Sequence, residues 1–539
     1  MTAAPGERPP THRREALGPE ARWRYATLGV LLAAGVLRLW LALEDHSIYW
    51  PDEIYQSLEQ AHRLTFGYGF IPWEFRDGAR NWILPGMVAG LWQVATALGV
   101  QSSLVLIELA RCSVVLASVA SLWLAARLAV RLSSARAGFV TALVLAVLPA
   151  SVAFGYRTMS ETVSAPLLVL AALCLQRRSV RATCLAGVWI TLAAWLRYQN
   201  ALFGVAFVLQ LLFERRQRET ILFCMTALAT ALAGGLLDWA TWGRPFQSLL
   251  TYVDFNLLHA GASTFGVEPF GFYAKSLWDS TGPALSLLGP LALLGARRAP
   301  ALALSVLGYL LVHSFIPHKE LRFLVPALPL GGVLVGIGAD SLYERVGKRA
   351  GWWWLGLSAS ALALVFSLSR LTYRRMGQYA DTPRGERPIW HADEEINLML
   401  ADAGQKPDLC GLGVLGLRPA FTGGYSYFHR PVPLLYRRQL CESGPAVNYL
   451  MLPHELKDTL PPGYAEVERR GWLALFRRDG VCGPLPRAFD PLLDGAHDMG
   501  LHRPIAAQSQ DGSVQFDLLR QPGSFTQGWG NGELLECRP

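Results

Sequence analysis

Long apolar runs separated by short polar breaks dominate the first 370 residues of this chain. A helix that crosses a bilayer needs roughly 20 apolar residues, with a range of about 17–25. On that measure the sequence predicts eleven spans, at 26–43, 104–126, 137–154, 161–175, 182–196, 200–213, 220–239, 283–296, 300–316, 321–338 and 351–369. Residues 1–25 are rich in Pro and Arg and are expected to form a disordered cytoplasmic tail. The first run is a span rather than a signal peptide, because it leads into Glu44-Asp45-His46 with no small-residue cleavage site. With the tail inside, alternate loops should be basic. Those loops hold Arg127/Arg131/Arg136, Arg177/Arg178/Arg181, Arg215/Arg216/Arg218, Arg297/Arg298 and Arg345/Lys348/Arg349.

The same rule decides the apolar segment 82–98. Counting it as a span would move every later Arg cluster to the wrong side, so it is expected to be interfacial or re-entrant. The C-terminus then lies outside. Residues 371–539 contain no run long enough to span, while 449–452 and 472–476 read as buried strands. The expected fold is an all-α polytopic membrane bundle over 26–370, with outer loops at 44–103 and 240–282. A small mixed α/β extracytoplasmic domain follows over 371–539.

Composition agrees with a chain dissolved largely in lipid. It is 52% hydrophobic and 17% charged, against about 25% charged in soluble proteins. The net charge of +8 comes from Arg clusters flanking apolar runs, with no aromatic-basic interleaving, which argues against a nucleic-acid partner. Cys112, Cys174, Cys184 and Cys224 lie in apolar runs. Cys410, Cys441, Cys482 and Cys537 lie in the polar C-terminal region without metal-ligand spacing, and in an oxidising compartment they allow two disulfides in any of three connectivities.

Two outer loops carry the polar residues that need explaining. In 44–81, Asp52 and Glu53 follow Pro51 just after the first span. A carboxylate there can take the proton of an attacking hydroxyl, although Pro-Asp-Glu also serves as an ordinary helix start. In 316–330, His318, Lys319, Glu320 and Arg322 are packed between strongly apolar stretches. Charge in a bilayer costs about 2.5–3.5 kcal/mol even on the gentler scale. Three potential cations suit a phosphate, with Arg offering bidentate contacts; snorkelling accounts for Lys319 but less readily for the group. Arg157 and Arg197 are further cations at outer span ends, Asp238 sits just inside the outer end of the seventh span, and Arg38 lies inside the first span.

No P-loop, dinucleotide-binding glycine fingerprint or H-E-x-x-H motif is present, and the cytoplasmic loops are too short for a nucleotide-binding domain. Chemistry is therefore expected outside, with a donor that arrives through the membrane.

Together these stretches resemble glycosyltransferase family 22, the lipid-phosphate-mannose-dependent mannosyltransferases of GPI-anchor and N-glycan assembly. The family pattern H-K-E-x-R-F-x-x-P-x-x-P stands complete from His318 to Pro329. The pattern H-P-D-E stands as Trp50-Pro51-Asp52-Glu53, with Trp in place of His. Tyr55-Gln56, Glu59, His62, Phe66-Gly67-Tyr68-Gly69, Trp73-Glu74-Phe75-Arg76 and the region 238–273 also look like the family, and the likeness covers about 1–340. The resemblance implies a GT-C fold and transfer of mannose, with inversion to an α-mannoside, from a polyprenyl- or dolichyl-phosphate donor to a glycan or glycolipid acceptor. It makes Asp52 the general base and Glu53 a supporting carboxylate. His318, Lys319 and Arg322 become donor-phosphate ligands, joined by Arg157 and Arg197. Trp50, Trp73, Glu74, Asp238 and Glu320 become substrate-binding candidates. The chemistry requires no metal or other cofactor. The membrane is expected to be a bacterial inner membrane or the endoplasmic reticulum. A GT-C transferase of another lipid-linked sugar is the nearest alternative, and a non-catalytic transporter of lipid-linked glycans the more distant one.

Overall fold

A computed structural model describes residues 18–480 except 260, 347–349, 380–381, 418 and 437–446, together with Cys482 and the backbone of 506–508 and 514–516. The eleven apolar runs coincide with helical segments to within a residue or two at most ends. Five described helices are long and apolar enough to cross a membrane: Glu20–Glu44, Ser103–Leu132, Gln217–Trp242, Leu321–Val346 and Gly351–Ser369. The protein is a multi-pass membrane protein. Residues 19–25, expected in the tail, belong instead to the first helix. Pro19 starts it at a position where the missing N–H costs nothing, and 1–17 lie outside the described residues.

Burial sorts these helices. Leu321–Val346 has 83% of its apolar window buried and forms the centre, whereas Gln217–Trp242 and Gly351–Ser369, each at 22%, face outward. The central helix sits directly on the backbone of Leu285–Arg298. A Cβ on Gly338 would meet the Leu291 carbonyl at 1.8 Å, and one on Gly295 the Leu334 carbonyl at 2.0 Å. Small residues at such crossings are how apolar helices associate where lipid removes the hydrophobic drive.

The run 137–154 breaks into Ala135–Val147 and Pro149–Ala153. Pro149 has no N–H for the carbonyl of Leu145. Arg38, fully buried on the first helix, fills the gap: Nη2 donates to Leu145 O at 3.1 Å and Ser151 Oγ at 3.0 Å, and Nε to Ser118 Oγ at 3.2 Å. An arginine inside a span is thereby accounted for by a proline on its neighbour.

Segment 82–98 forms the helix Ile83–Ala97. It is about as short as several helices formed by the predicted spans, such as Ala135–Val147 and Ala201–Phe213. It packs beside Glu59–Phe66 and Ser103–Leu132, with the Trp92 indole donating to Leu106 O at 2.6 Å.

The C-terminal region contains helix Glu394–Gly404 and five strands: β1 (Leu412–Val414), β2 (Leu434–Tyr436), β3 (Tyr449–Pro453), β4 (Tyr464–Arg470) and β5 (Leu473–Arg478). The sheet runs β2-β1-β3-β5-β4, with β1 parallel to both neighbours and the rest antiparallel. The two runs read as strands are β3 and β5, paired with Leu450 opposite Phe476. Cys410 is disulfide-bonded to Cys482; Cys441 and Cys537 lie outside the described residues.

This region shares a core with the first polar loop rather than standing apart. Ile54, Tyr55, Leu58 and Phe70 pack into one cluster with Tyr425, Tyr436 and Met451. Glu59, fully buried, accepts from the backbone N–H of Phe70 at 2.8 Å, Ser426 at 2.8 Å and Tyr425 at 3.2 Å. Burial outweighs these bonds and pushes its carboxyl up to about 7. Its folded pKa is therefore above its unfolded one, so the folded chain holds a proton that the unfolded chain releases. Stability contributed at this joint is full below about pH 4.5 and is lost as pH rises toward about 7. Melting curves in detergent across that window are expected to show the decline, and Glu59→Gln is expected to flatten it.

Candidate active site

The turn that carries the acidic pair is built by its sequence. Pro51 opens a short helical turn, Pro51–Glu53, and a wide turn over Ile54–Leu58 follows. Consecutive helical residues point about 100° apart, so the two carboxylates face different surroundings. Glu53 turns inward and is fully buried. It receives Arg157 Nη1 at 2.9 Å and Arg111 Nη2 at 3.3 Å. Asp45 completes the cage, accepting from Tyr156 OH at 2.5 Å and lying 3.5 Å from Arg157 Nη2. No member of this cage borders the large cavity beside it. Glu53 and Arg157, expected among the reacting and phosphate-holding groups, thus pair with each other beneath the turn.

Asp52 turns the other way, is about one-fifth exposed, and is ion-paired with Arg322. Arg322 opens the tight turn Leu321–Ala327. Its Nε lies 2.7 Å from Glu320 Oε2, its Nη2 donates to Glu320 Oε1 at 3.0 Å, and its Nη1 lies 3.7 Å from Glu161 Oε1. Glu161 also takes Arg197 Nη1 at 2.8 Å. His318 Nε2 stands 3.0 Å from Glu320 Oε1, and Gln378 Nε2 donates to Glu320 Oε2 at 3.3 Å. Burial opposes ionisation of Glu320, but Arg322 and His318 together hold it down to about 2.

Lys319 leaves this group. The backbone at Glu320 is extended, and side chains alternate along extended chain. His318 and Glu320 therefore share one side, while Lys319 Nζ donates to Glu268 O at 2.6 Å on the other. Asp238 is also elsewhere. It accepts from Ser248 N at 2.8 Å and Oγ at 2.6 Å, and Ser248 Oγ bonds the Tyr198 hydroxyl at 2.6 Å, so it braces the turn after Arg197.

A cavity of about 490 Å³ runs over Asp52 and Arg322 and is bordered by Trp50, Trp73, Glu74, Arg197, His318 and Glu320. The Trp73 ring packs 4.4 Å from Phe255, and Glu74 Oε1 accepts from Gln56 Nε2 at 2.9 Å. Burial pushes the Glu74 carboxyl up to about 7, with Arg80 pulling against it and Asp52 reinforcing it. Much of the remaining lining is aliphatic. Val205, Leu257 and Val312 border the cavity and are themselves 59%, 69% and 40% exposed. The cavity therefore opens sideways between apolar side chains.

Three contributors escaped the sequence reading. Glu161 bridges two arginines from the first turn of an apolar helix, where an acidic residue is ordinary. Gln378 reaches Glu320 from beyond the bundle. Arg80 borders the cavity with its guanidinium 6.0 Å from the Tyr252 ring. Of the arginines bordering the cavity, Arg197 and Arg322 have carboxylate partners; among the described residues, Arg80 makes no ion pair. An arginine in a polar loop carries no burial signal in sequence; its place at the cavity, near enough to act on Glu74 and Glu161 without pairing with either, marks it.

A helical bundle with its acid-and-guanidinium site on polar loops, beside a cavity open to the apolar flank, defines a GT-C-type membrane glycosyltransferase. The fold agrees with ArnT from Cupriavidus metallidurans bound to undecaprenyl phosphate, at TM-score 0.56 and 13% identity over 85% of this chain and 99% of that one. The chain belongs to the Alg9-like mannosyltransferase family, whose model matches residues 30–384. It is similar to GPI mannosyltransferase 3 of Yarrowia lipolytica, 29% identical over 76% of each chain. It is also similar to GPI alpha-1,2-mannosyltransferase 3 of Bos taurus, 25% identical over 72% of this chain and 69% of that one. The protein is a mannosyltransferase.

Proposed function

We propose that this enzyme transfers mannose from a polyprenyl- or dolichyl-phosphate donor to a glycan or glycolipid acceptor, in one inverting displacement on the extracytoplasmic side. The observation that carries the reading is the Asp52–Arg322 pair in a cavity that opens between exposed Val205, Leu257 and Val312. A donor whose tail stays in lipid can bring its phosphate to charged groups only through such an opening.

Asp52 accepts the proton of the acceptor hydroxyl as its oxygen bonds to the anomeric carbon. The bond from that carbon to the phosphate oxygen breaks, and the lipid phosphate leaves with the electron pair. Stabilising that departing charge is the larger electrostatic task. Arg322 is divided among Asp52, Glu320 and Glu161, so its first task is to orient the base. Arg80, which makes no ion pair among the described residues, takes the phosphate, with Arg197 and His318 bordering the same space. Trp73 and Glu74 supply an aromatic face and a carboxyl for the sugar. The cysteine pair Cys410–Cys482 suits an oxidising compartment on that side.

The test is a panel of polyprenyl-phosphate sugars and nucleotide sugars given to purified protein with an alkyl mannoside acceptor. Product from lipid-phosphate mannose is expected. Product only from another lipid-linked sugar, or only from a nucleotide sugar, would overturn the donor assignment. Arg80→Ala is expected to raise the donor KM about tenfold to a hundredfold, the range for a lost hydrogen bond to a charged group. Arg80→Lys should recover part of it, as steady-state kinetics at varied donor concentration would show.

A further inference from the structure

The cavity has one wall that the helical bundle does not make. Trp50, the residue before the Pro-Asp-Glu turn, borders it together with Ala420 of the C-terminal region. Ala420 is the middle residue of a short turn, Pro419–Phe421. That turn is held from below by Tyr55, whose hydroxyl donates to Pro419 O at 2.6 Å. Around it, the Trp50 ring lies 5.6 Å from Tyr379 and 6.4 Å from Phe421. The Arg384 guanidinium lies 4.6 Å from the Phe421 ring and 5.1 Å from that of Tyr379. An aromatic cluster braced by a cation is a rigid surface at low entropic cost. The Tyr379 hydroxyl is buried with no partner among the described residues, as is Gln378 Oε1. Among the described residues, the cluster therefore retains unpaired polar atoms just behind the cavity wall.

The bundle wall and this wall differ in kind. The former includes the exposed aliphatic residues Val205, Leu257 and Val312 at the lipid-facing opening; the latter reaches the cavity through Trp50 and Ala420, with Tyr379 and Phe421 packed behind Trp50. A reaction that joins a lipid-held donor to a sugar hydroxyl brings two substrates to one base, and Asp52, two residues after Trp50, borders the same cavity. We infer that Trp50 and the 419–421 turn form the acceptor subsite, on which the terminal sugar of the acceptor stacks as its hydroxyl meets Asp52. The C-terminal region is then part of the active site and sets which glycans are accepted. This rests on the donor reading above and refines it.

The experiment measures donor and acceptor KM separately for Trp50→Ala, Trp50→Phe and Ala420→Leu, using lipid-phosphate mannose with octyl mannoside and octyl dimannoside. The expected result is an acceptor KM raised at least about tenfold in Trp50→Ala and Ala420→Leu, a typical loss for an aromatic contact in a site, with donor KM changed less than about twofold. Trp50→Phe should restore most of the affinity, which a merely folded-state defect would not do selectively. A raised donor KM with acceptor KM intact, an equal rise in both, or no change in either overturns the assignment. Failure of the parent chain to use lipid-phosphate mannose would instead defeat the donor reading, and that is seen before any variant is made.

Discussion

Asp52→Asn is expected to lower kcat by about a hundredfold to ten-thousandfold, the usual contribution of a positioned general base, with donor KM little changed. The amide keeps the size of the side chain and an oxygen for Arg322, but it cannot accept the acceptor's proton. Arg322 then retains Glu320 and Glu161 as partners, so the fold around the site should survive. Turnover at saturating donor and acceptor measures the loss. Unchanged turnover would remove Asp52 from the base role and leave the cavity without a candidate, because the other carboxylates bordering it do other work. Glu320 is spent on Arg322 and His318, and Glu74 is pushed toward its neutral form.

Substitution of the neighbouring carboxylate is expected to act on stability instead. Glu53 sits between Arg111 and Arg157, all three fully buried. Removing one partner of a buried pair leaves an uncompensated charge and costs about 3–5 kcal/mol. Glu53→Ala and Arg157→Ala should therefore lower the melting temperature and the yield of monodisperse protein. Activity per folded molecule should fall far less than in Asp52→Asn. Two adjacent acids with opposite signatures, one kinetic and one thermodynamic, are a direct consequence of a turn that rotates them apart. If Glu53→Ala kept its melting temperature and lost turnover as Asp52→Asn does, the division of labour would be wrong.

Much of the architecture was readable because lipid imposes strong rules. Apolar runs had to be helical, and segment 82–98 is helical with them. The 318–322 cluster stood out because charge between apolar stretches is costly. What the sequence could not supply was direction. Asp52 and Glu53 are neighbours in the chain yet face a cavity and a cage. Lys319 sits amid His318, Glu320 and Arg322 but points the other way on extended backbone. Arg157 read as a spare cation at a span end, when its partner was Glu53. Arg80 and Gln378 were invisible for the converse reason: polar residues outside the spans are unremarkable until folding sets them against the site. The joint between the first loop and the C-terminal region was equally hidden, since three backbone amides on Glu59 leave no pattern in side-chain identity.

One base, one leaving phosphate and no covalent intermediate define the account, and the stereochemistry of the product tests it most directly. Purified enzyme supplied with β-linked polyprenyl-phosphate mannose and an alkyl mannoside should release only the α-linked disaccharide, read from the anomeric coupling in the NMR spectrum. A β-linked product would mean that configuration is retained, and with it that a side chain attacks the sugar first, which contradicts Asp52 acting as a base toward the acceptor.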